Sequence, residues 1–178
     1  KGGGDSDIYR VGTPEGECLI DEFAKLIIQY GRISENIFPV TINYALSLAE
    51  MIAAGNYDWV GGDVTPDHFP INGSGQVEVN IELVFFGRIM ESDDVLEELD
   101  KTSLRSATLV ELLAFGAKHP DKQREFLVVA LGSVWQQRRD SRRRGVPVLW
   151  GSSGGRDLNL IWFEDGWHDG CRFAAVRK

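Results

Sequence analysis

The sequence predicts an α+β domain whose sheet is mostly antiparallel, and two observations carry that expectation. From Val77 to the C-terminus the patterns read strand, helix, helix, then four short strands. Helices grouped in this way, rather than alternating with strands, mark α+β architecture. The links between the late strands are also too short for parallel crossovers, which need about a dozen residues or more.

The elements follow in order. Residues 1–16 read as a Gly-rich leader, and Leu19, Phe23, Leu26, Ile27 and Tyr30 then recur at helical spacing until Gly31. Residues 1–37 are therefore expected to be a flexible leader with an N-terminal helix, and residues 38–178 the main domain. Phe38 to Tyr44 reads as a strand that Pro39 confines to a sheet edge. Ser47 and Glu50 form a capping box for a short helix ending at Gly55. Residues 56–76, with Gly61-Gly62, Pro66, Pro70 and Asn72-Gly73, read as loop. Val77, Val79, Ile81, Leu83 and Phe85 alternate with Glu78, Asn80 and Glu82, the cleanest strand pattern in the chain.

Ser92 is expected to cap a helix to about Leu99, with Asp93, Asp94 and Glu97 at its positive end. Thr108 and Glu111 form a second capping box, opening a helix that turns Leu109, Leu112, Leu113 and Phe115 inward. Lys118, His119 and Pro120 close it, where a cationic histidine suits the helix dipole. The last strands are read as Phe126–Trp135, Val146–Trp150, Leu158–Phe163 and Cys171–Arg177. The arginines between Arg138 and Arg144 form a solvated hairpin tip between the first two.

A length of 178 residues fits one domain, or one domain with an extension. Its 43% hydrophobic and 26% charged residues are ordinary for a soluble globular protein. The net charge of −8 argues against a dedicated nucleic-acid binder, which must neutralise phosphates. No apolar run approaches the ~18 residues of a membrane span, and no basic-then-apolar signal segment opens the chain. Cys18 and Cys171 are the only cysteines, and His68, His119 and His168 lack metal-ligand spacing. Asp63, Asp67 and His68 share a loop, but Asx-turns account for Asp there. No metal or cofactor is expected. Ser152-Ser153-Gly154-Gly155 lacks the Gly-Lys-Ser/Thr ending of a phosphate loop. His168, Asp165, Asp169 and Cys171 imitate a nucleophile–base set without a placed oxyanion hole.

The segment from Trp135 to Lys178 holds four of the five tryptophans, on short strands joined by Gly-, Asp- and Ser-rich loops. Aromatics on loops over a rigid sheet supply contact area at low entropic cost, which suits a recognition surface. They also suit a small β core, and both readings stand at this point. Tyr57-Asp58-Trp59 beside Gly61-Gly62 is read as a buttress of that face or as a subunit contact.

Two stretches carry a resemblance. Leu104-Arg105-Ser106-Ala107-Thr108-Leu109-Val110-Glu111-Leu112-Leu113-Ala114-Phe115-Gly116 resembles the segment leading into the acidic helix of formylglycine-generating-enzyme-like domains. Cys171-Arg172-Phe173-Ala174-Ala175-Val176-Arg177 resembles their closing strand. That family belongs to the C-type lectin fold, so the resemblance implies two helices with small sheets over residues 38–178. Within that fold the tail, 146–178, is most similar to the variable proteins of diversity-generating retroelements. In those proteins a reverse transcriptase rewrites the C-terminal segment, and the fold displays the changed side chains.

The resemblance implies a ligand face made of Trp150, Ser152, Ser153, Arg156, Asp157, Asn159 and Ile161 in its first half. Glu164, Asp165, Gly166, Trp167, His168, Asp169, Gly170 and Cys171 make the second. Leu158, Leu160, Phe173, Ala175 and Val176 are its scaffold, and Trp150, Trp162 and Trp167 its aromatic anchors. It implies a non-enzymatic binding protein whose partner is a protein on another cell, virus or host. The redox cysteine pair of the formylglycine-type enzymes is not matched, since the region holds one cysteine. The Glu-Pro-Asn or Gln-Pro-Asp loop of calcium-dependent sugar lectins is also missing. An oxidase of the formylglycine-generating group and a structural or oligomer-forming module are the alternative readings.

Overall fold

Alternating apolar residues build the first strand pair. β1 (Ile37–Asn43) and β3 (Gln76–Val84) run antiparallel in continuous register from Ile37 opposite Glu82 to Asn43 opposite Gln76. Val40, Ile42, Ile81 and Leu83 point into the core, while Val77 and Phe85 lie beyond it and are exposed. Pro39 cannot donate a ladder hydrogen bond, and β1 is indeed the edge strand. The structure, a computed structural model, describes residues 36–137 and 142–178. The expected leader and Leu19–Tyr30 helix, with Arg138 and Arg139, fall outside the described residues.

Both capping boxes form. Ser47 N donates to Glu50 Oε2 (2.7 Å) and Glu50 N donates to Ser47 Oγ (3.3 Å), opening α1 (Leu48–Gly55). Thr108 and Glu111 make the same reciprocal pair at α3 (Leu109–Lys118), and Leu109, Leu112, Leu113 and Phe115 are all buried. Between them, α2 (Ser92–Lys101) corrects an expectation. Glu91 holds the N-cap position, and Ser92 is buried in the first turn. Its hydroxyl donates to the Phe163 carbonyl (2.6 Å) and accepts from Trp167 Nε1 (2.8 Å). That long-range pairing outweighs the local capping preference of serine.

His119 corrects another. Burial and then the neighbouring Lys118 charge hold its pKa below the ordinary value, so the neutral ring is favoured. The ring packs between Phe38 (5.0 Å) and Phe115 (5.6 Å).

The expected Phe126–Trp135 strand breaks into pieces. A one-turn helix α4 (Lys122–Glu125) is followed by β5 (Val128–Val129), and after a turn by β6 (Trp135–Gln136). β7 (Arg144–Ser152) and β8 (Gly155–Trp162) form a tight hairpin; a 3-10 turn (Phe163–Asp165) and β9 (Arg172–Arg177) close the chain. β2 (Trp59–Val60) lies inside the stretch read as loop, and β4 (Leu104–Ser106) pairs with β9.

The described residues therefore form a mixed α/β fold with four helices and a single sheet of order β1-β3-β9-β5-β7-β8-β2, with β4 beside β9 and β6 beside β7. Six of the eight strand pairings are antiparallel; β5–β9 and β2–β8 are parallel. The expected small sheets are one large sheet because two residues, Val128 and Val129, bridge β9 to β7. Side chains of β9 alternate between two cores. Ala174 and Val176 join the core under α1 and α3; Phe173 and Ala175 join the one that contains Val95 and Leu99 of α2. Among the described residues no helix is long and apolar enough to cross a membrane.

Gly132 locks β4 against the β5–β6 turn. Its N–H donates to the Ala107 carbonyl (2.9 Å), and a Cβ would lie 2.6 Å from the carbonyl oxygens of both Ser106 and Ala107. That backbone is itself held, since Ala107 N donates to Ala174 O (2.8 Å). Gly132→Ala is expected to cost about 2–3 kcal/mol by overpacking. The check is the urea midpoint at unchanged m; a loss under ~0.5 kcal/mol would refute the close approach.

Candidate functional site

Register gathers the site. Across β7 and β8, Trp150 stands opposite Asp157, Val148 opposite Asn159 and Val146 opposite Ile161. Residues paired across a ladder share a face, so these six lie on one side of the sheet. Their neighbours Leu149, Leu158 and Leu160 point to the other side, into or against the core under α1 and α3. β2 extends the face by one strand, placing Trp59 beside Asp157. A row Trp150–Asp157–Trp59 therefore crosses three adjacent strands.

A cleft of about 550 Å³ opens on this face. Val148, fully buried, lies at its base, with Trp150, Asn159 and Ile161 along the strands. Arg124 and Glu125 of α4, with Phe126 and Leu127, form one wall, and His168 with Gly170 another. Gly170 N donates to His168 Nδ1 (3.1 Å), which fixes the ring's orientation. Beyond Phe126 the Arg172 guanidinium is stacked between the rings of Phe126 (4.2 Å) and Phe85 (3.7 Å). Aromatics and arginine are the side chains that dominate binding energy at protein interfaces.

Of the residues expected on the ligand face, Trp150, Asn159, Ile161 and His168 line this cleft, and Asp157 lies beside Trp150. Ser152 and Ser153 are exposed at the hairpin tip, where Arg124 Nη1 donates to the Ser152 carbonyl (2.7 Å). Asp169 is exposed next to His168.

Three of the expected residues are inside the fold. Trp167 is 2% exposed and bound to Ser92, so it anchors the α2 core rather than a ligand. Cys171 is 1% exposed, and burial pushes its thiol up to about 11, so it is no thiolate at neutral pH. Arg156 is 7% exposed and donates to the carbonyls of Gly55 (2.7 Å) and Gly116 (2.8 Å) and to Gln123 Oε1 (2.9 Å).

Glu164 and Asp165 face solvent but are engaged with the arginine run. Arg144 Nε lies 2.7 Å from Glu164 Oε1, and Arg143 Nη1 lies 3.3 Å from Asp165 Oδ1. Trp162 is half-buried, stacked on Trp135 at 6.2 Å with Arg143 above it. The expected hairpin tip thus ends in a strand: Arg144 opens β7. His68 also stacks on Trp135 (4.4 Å), with its Nδ1 2.8 Å from the Asp63 carbonyl oxygen. Among the described residues no group of three or more His, Cys, Asp or Glu side chains is placed to hold a metal.

Phe126 is a functional candidate that sequence patterning missed, and Trp59, read as a buttress or a subunit contact, stands on the face itself. Trp59 pairs with a residue 98 positions away, which no local pattern records. The Tyr57-Asp58-Trp59 segment divides its roles. Tyr57 packs under Arg156 (5.2 Å to the ring centre), Asp58 Oδ2 accepts from Arg156 N (2.7 Å), and Trp59 joins the open face. A second groove, of about 380 Å³ between β1, α1 and α3, contains none of the expected site residues.

No family model, curated protein or solved structure matches this chain.

Proposed function

We propose that this is a non-enzymatic ligand-binding protein of the C-type lectin type, a retroelement-diversified display protein whose segment 146–178 supplies the binding surface. The observation that carries the reading is the division of β8. Asp157 and Asn159 lie on the open face, Ile161 further along it packs against the core that contains Val95 and Leu99 of α2, and Leu158 and Leu160 pack against the core under α1 and α3. A strand divided in this way tolerates change on one side without loss of packing on the other. The cleft beside Trp150 gives a protein ligand a concave seat with aromatic and charged walls.

The reading predicts that Asn159, His168 and Asp169 can be replaced together, for example by serine, with ligand choice altered and melting temperature changed by less than ~3 °C. Asn159 Oδ1 accepts only from its own neighbour Leu160 N (2.7 Å), and His168 and Asp169 are exposed. A larger loss of stability would sink the display reading. Sequencing the gene and its flanking DNA across a population tests diversification itself. Variation concentrated in the codons of 150–171, with a near-copy of that DNA and a reverse transcriptase nearby, is the expected result. An invariant tail without a template copy would end the retroelement reading.

A further inference from the structure

We propose that the row Trp59–Asp157–Trp150 is a binding site for the cationic side chain of a basic protein segment. The inference rests on the reading of this face as a protein-binding surface and specifies the chemistry of the partner.

Three observations point to a cation. Trp59 and Trp150 are 50% and 44% exposed, so two of the largest apolar side chains stand uncovered on one face. One strand lies between them, which sets their backbones about 10 Å apart, close enough for one ligand segment to touch both. Between them lies the half-buried Asp157. Gln123 Nε2 donates to its backbone carbonyl (3.3 Å), but its carboxylate has no hydrogen bond or ion pair among the described residues. A partly desolvated carboxylate without a partner favours a cation, and indole is the best aromatic face for one.

The glycines prepare the platform. The Trp59 ring lies against Gly61: its Cη2 is 3.6 Å from where a Cβ would stand, and Asn159 Oδ1 is 3.0 Å from the same point. Asp58 adds a second carboxylate beside Gly155, one row along the strand. The charges near the row are consistent with an incoming cation. Arg124 is committed to the Ser152 carbonyl, and the Arg156 guanidinium is buried on the opposite side of the sheet. The chain's net charge of −8 attracts a basic partner over longer range.

The test titrates the full-length chain with pentalysine and follows the indole N–H resonances by NMR, with pentaglutamate and maltopentaose as comparison ligands. Pentalysine is expected to shift the Trp59 and Trp150 signals and leave those of the buried Trp135 and Trp167 in place. Asp157→Asn, which keeps the shape of the side chain, is expected to weaken binding about three- to tenfold, and Trp59→Ala by a similar factor. Raising the salt concentration weakens it further. Shifts spread over the whole surface, an Asp157→Asn variant that binds like the parent, or binding of maltopentaose in place of pentalysine would each overturn the proposal. If pentalysine fails while the 159/168/169 replacement still switches ligand choice, the binding-face reading survives and the cation site does not.

Discussion

Replacing Arg156 with methionine is expected to lower the melting temperature by about 10 °C, the largest effect of any single change in the tail. Methionine keeps much of the unbranched stem, so packing is nearly retained. What disappears is a guanidinium that ties together the end of α1 through the Gly55 carbonyl, α3 through Gly116, and α4 through Gln123. Three acceptors lose their donor in the interior, each worth about 1–3 kcal/mol when orphaned. Partial relaxation brings the total to about 3–4 kcal/mol, and a domain of this size loses roughly 2–4 °C per kcal/mol. Calorimetry of the variant checks it; a shift under ~3 °C would show that Arg156 is not a structural pin. The same result bears on display, since a tail can vary at Asp157 and Asn159 only if Arg156 beside them and Leu158 between them stay constant.

The second large effect is acid lability through Glu111. This carboxylate is 2% exposed and takes two bonds from Arg105 (2.6 and 2.9 Å), one from Thr108 N (2.7 Å) and one from the Thr108 hydroxyl (3.1 Å). Burial alone would raise its pKa, but Arg105 and Thr108 outweigh burial and hold it below the ordinary 4.5. A carboxyl whose folded pKa is depressed stabilises the protein fully above its unfolded value. That contribution is lost as pH falls below about 4.5 and through the folded pKa. Glu111→Gln is therefore expected to cost about 2–3 kcal/mol at pH 7, because one oxygen becomes an amide facing donors. The gap between variant and parent should close as the pH is lowered. A gap that persists unchanged at pH 3 would show that charge at Glu111 is not what holds the start of α3.

Glu111 also shows what sequence reasoning reads well. Its capping box with Thr108 spans four residues, and so does that of Ser47 with Glu50; both are visible because donor and acceptor are neighbours along the chain. Pro39 marked an edge for an equally local reason, the missing N–H. Ser92 failed the same logic. It has the composition of an N-cap, yet its hydroxyl bridges the Phe163 carbonyl and the Trp167 indole, partners more than 70 positions away. The tail tryptophans failed similarly. Trp150 and Trp167 both border Gly-rich polar loops in sequence, but one is 44% exposed and the other 2%. Alternation on β8 announced two faces without saying which was open. Only the leucines packed against the core decide that.

By itself the sequence determined the mixture of helices and strands, the two capped helices, the edge strand and the alternation of β8, since each rests on contacts within a turn or on a two-residue repeat. The tertiary structure alone decided that two valines merge the strands into one sheet. It alone decided that Arg156, Trp167 and Cys171 turn inward and that Trp59 joins Trp150 across Asp157. Those outcomes depend on register between strands up to 98 residues apart. Register is fixed by the burial of whole faces at once, and not by any residue's neighbours along the chain.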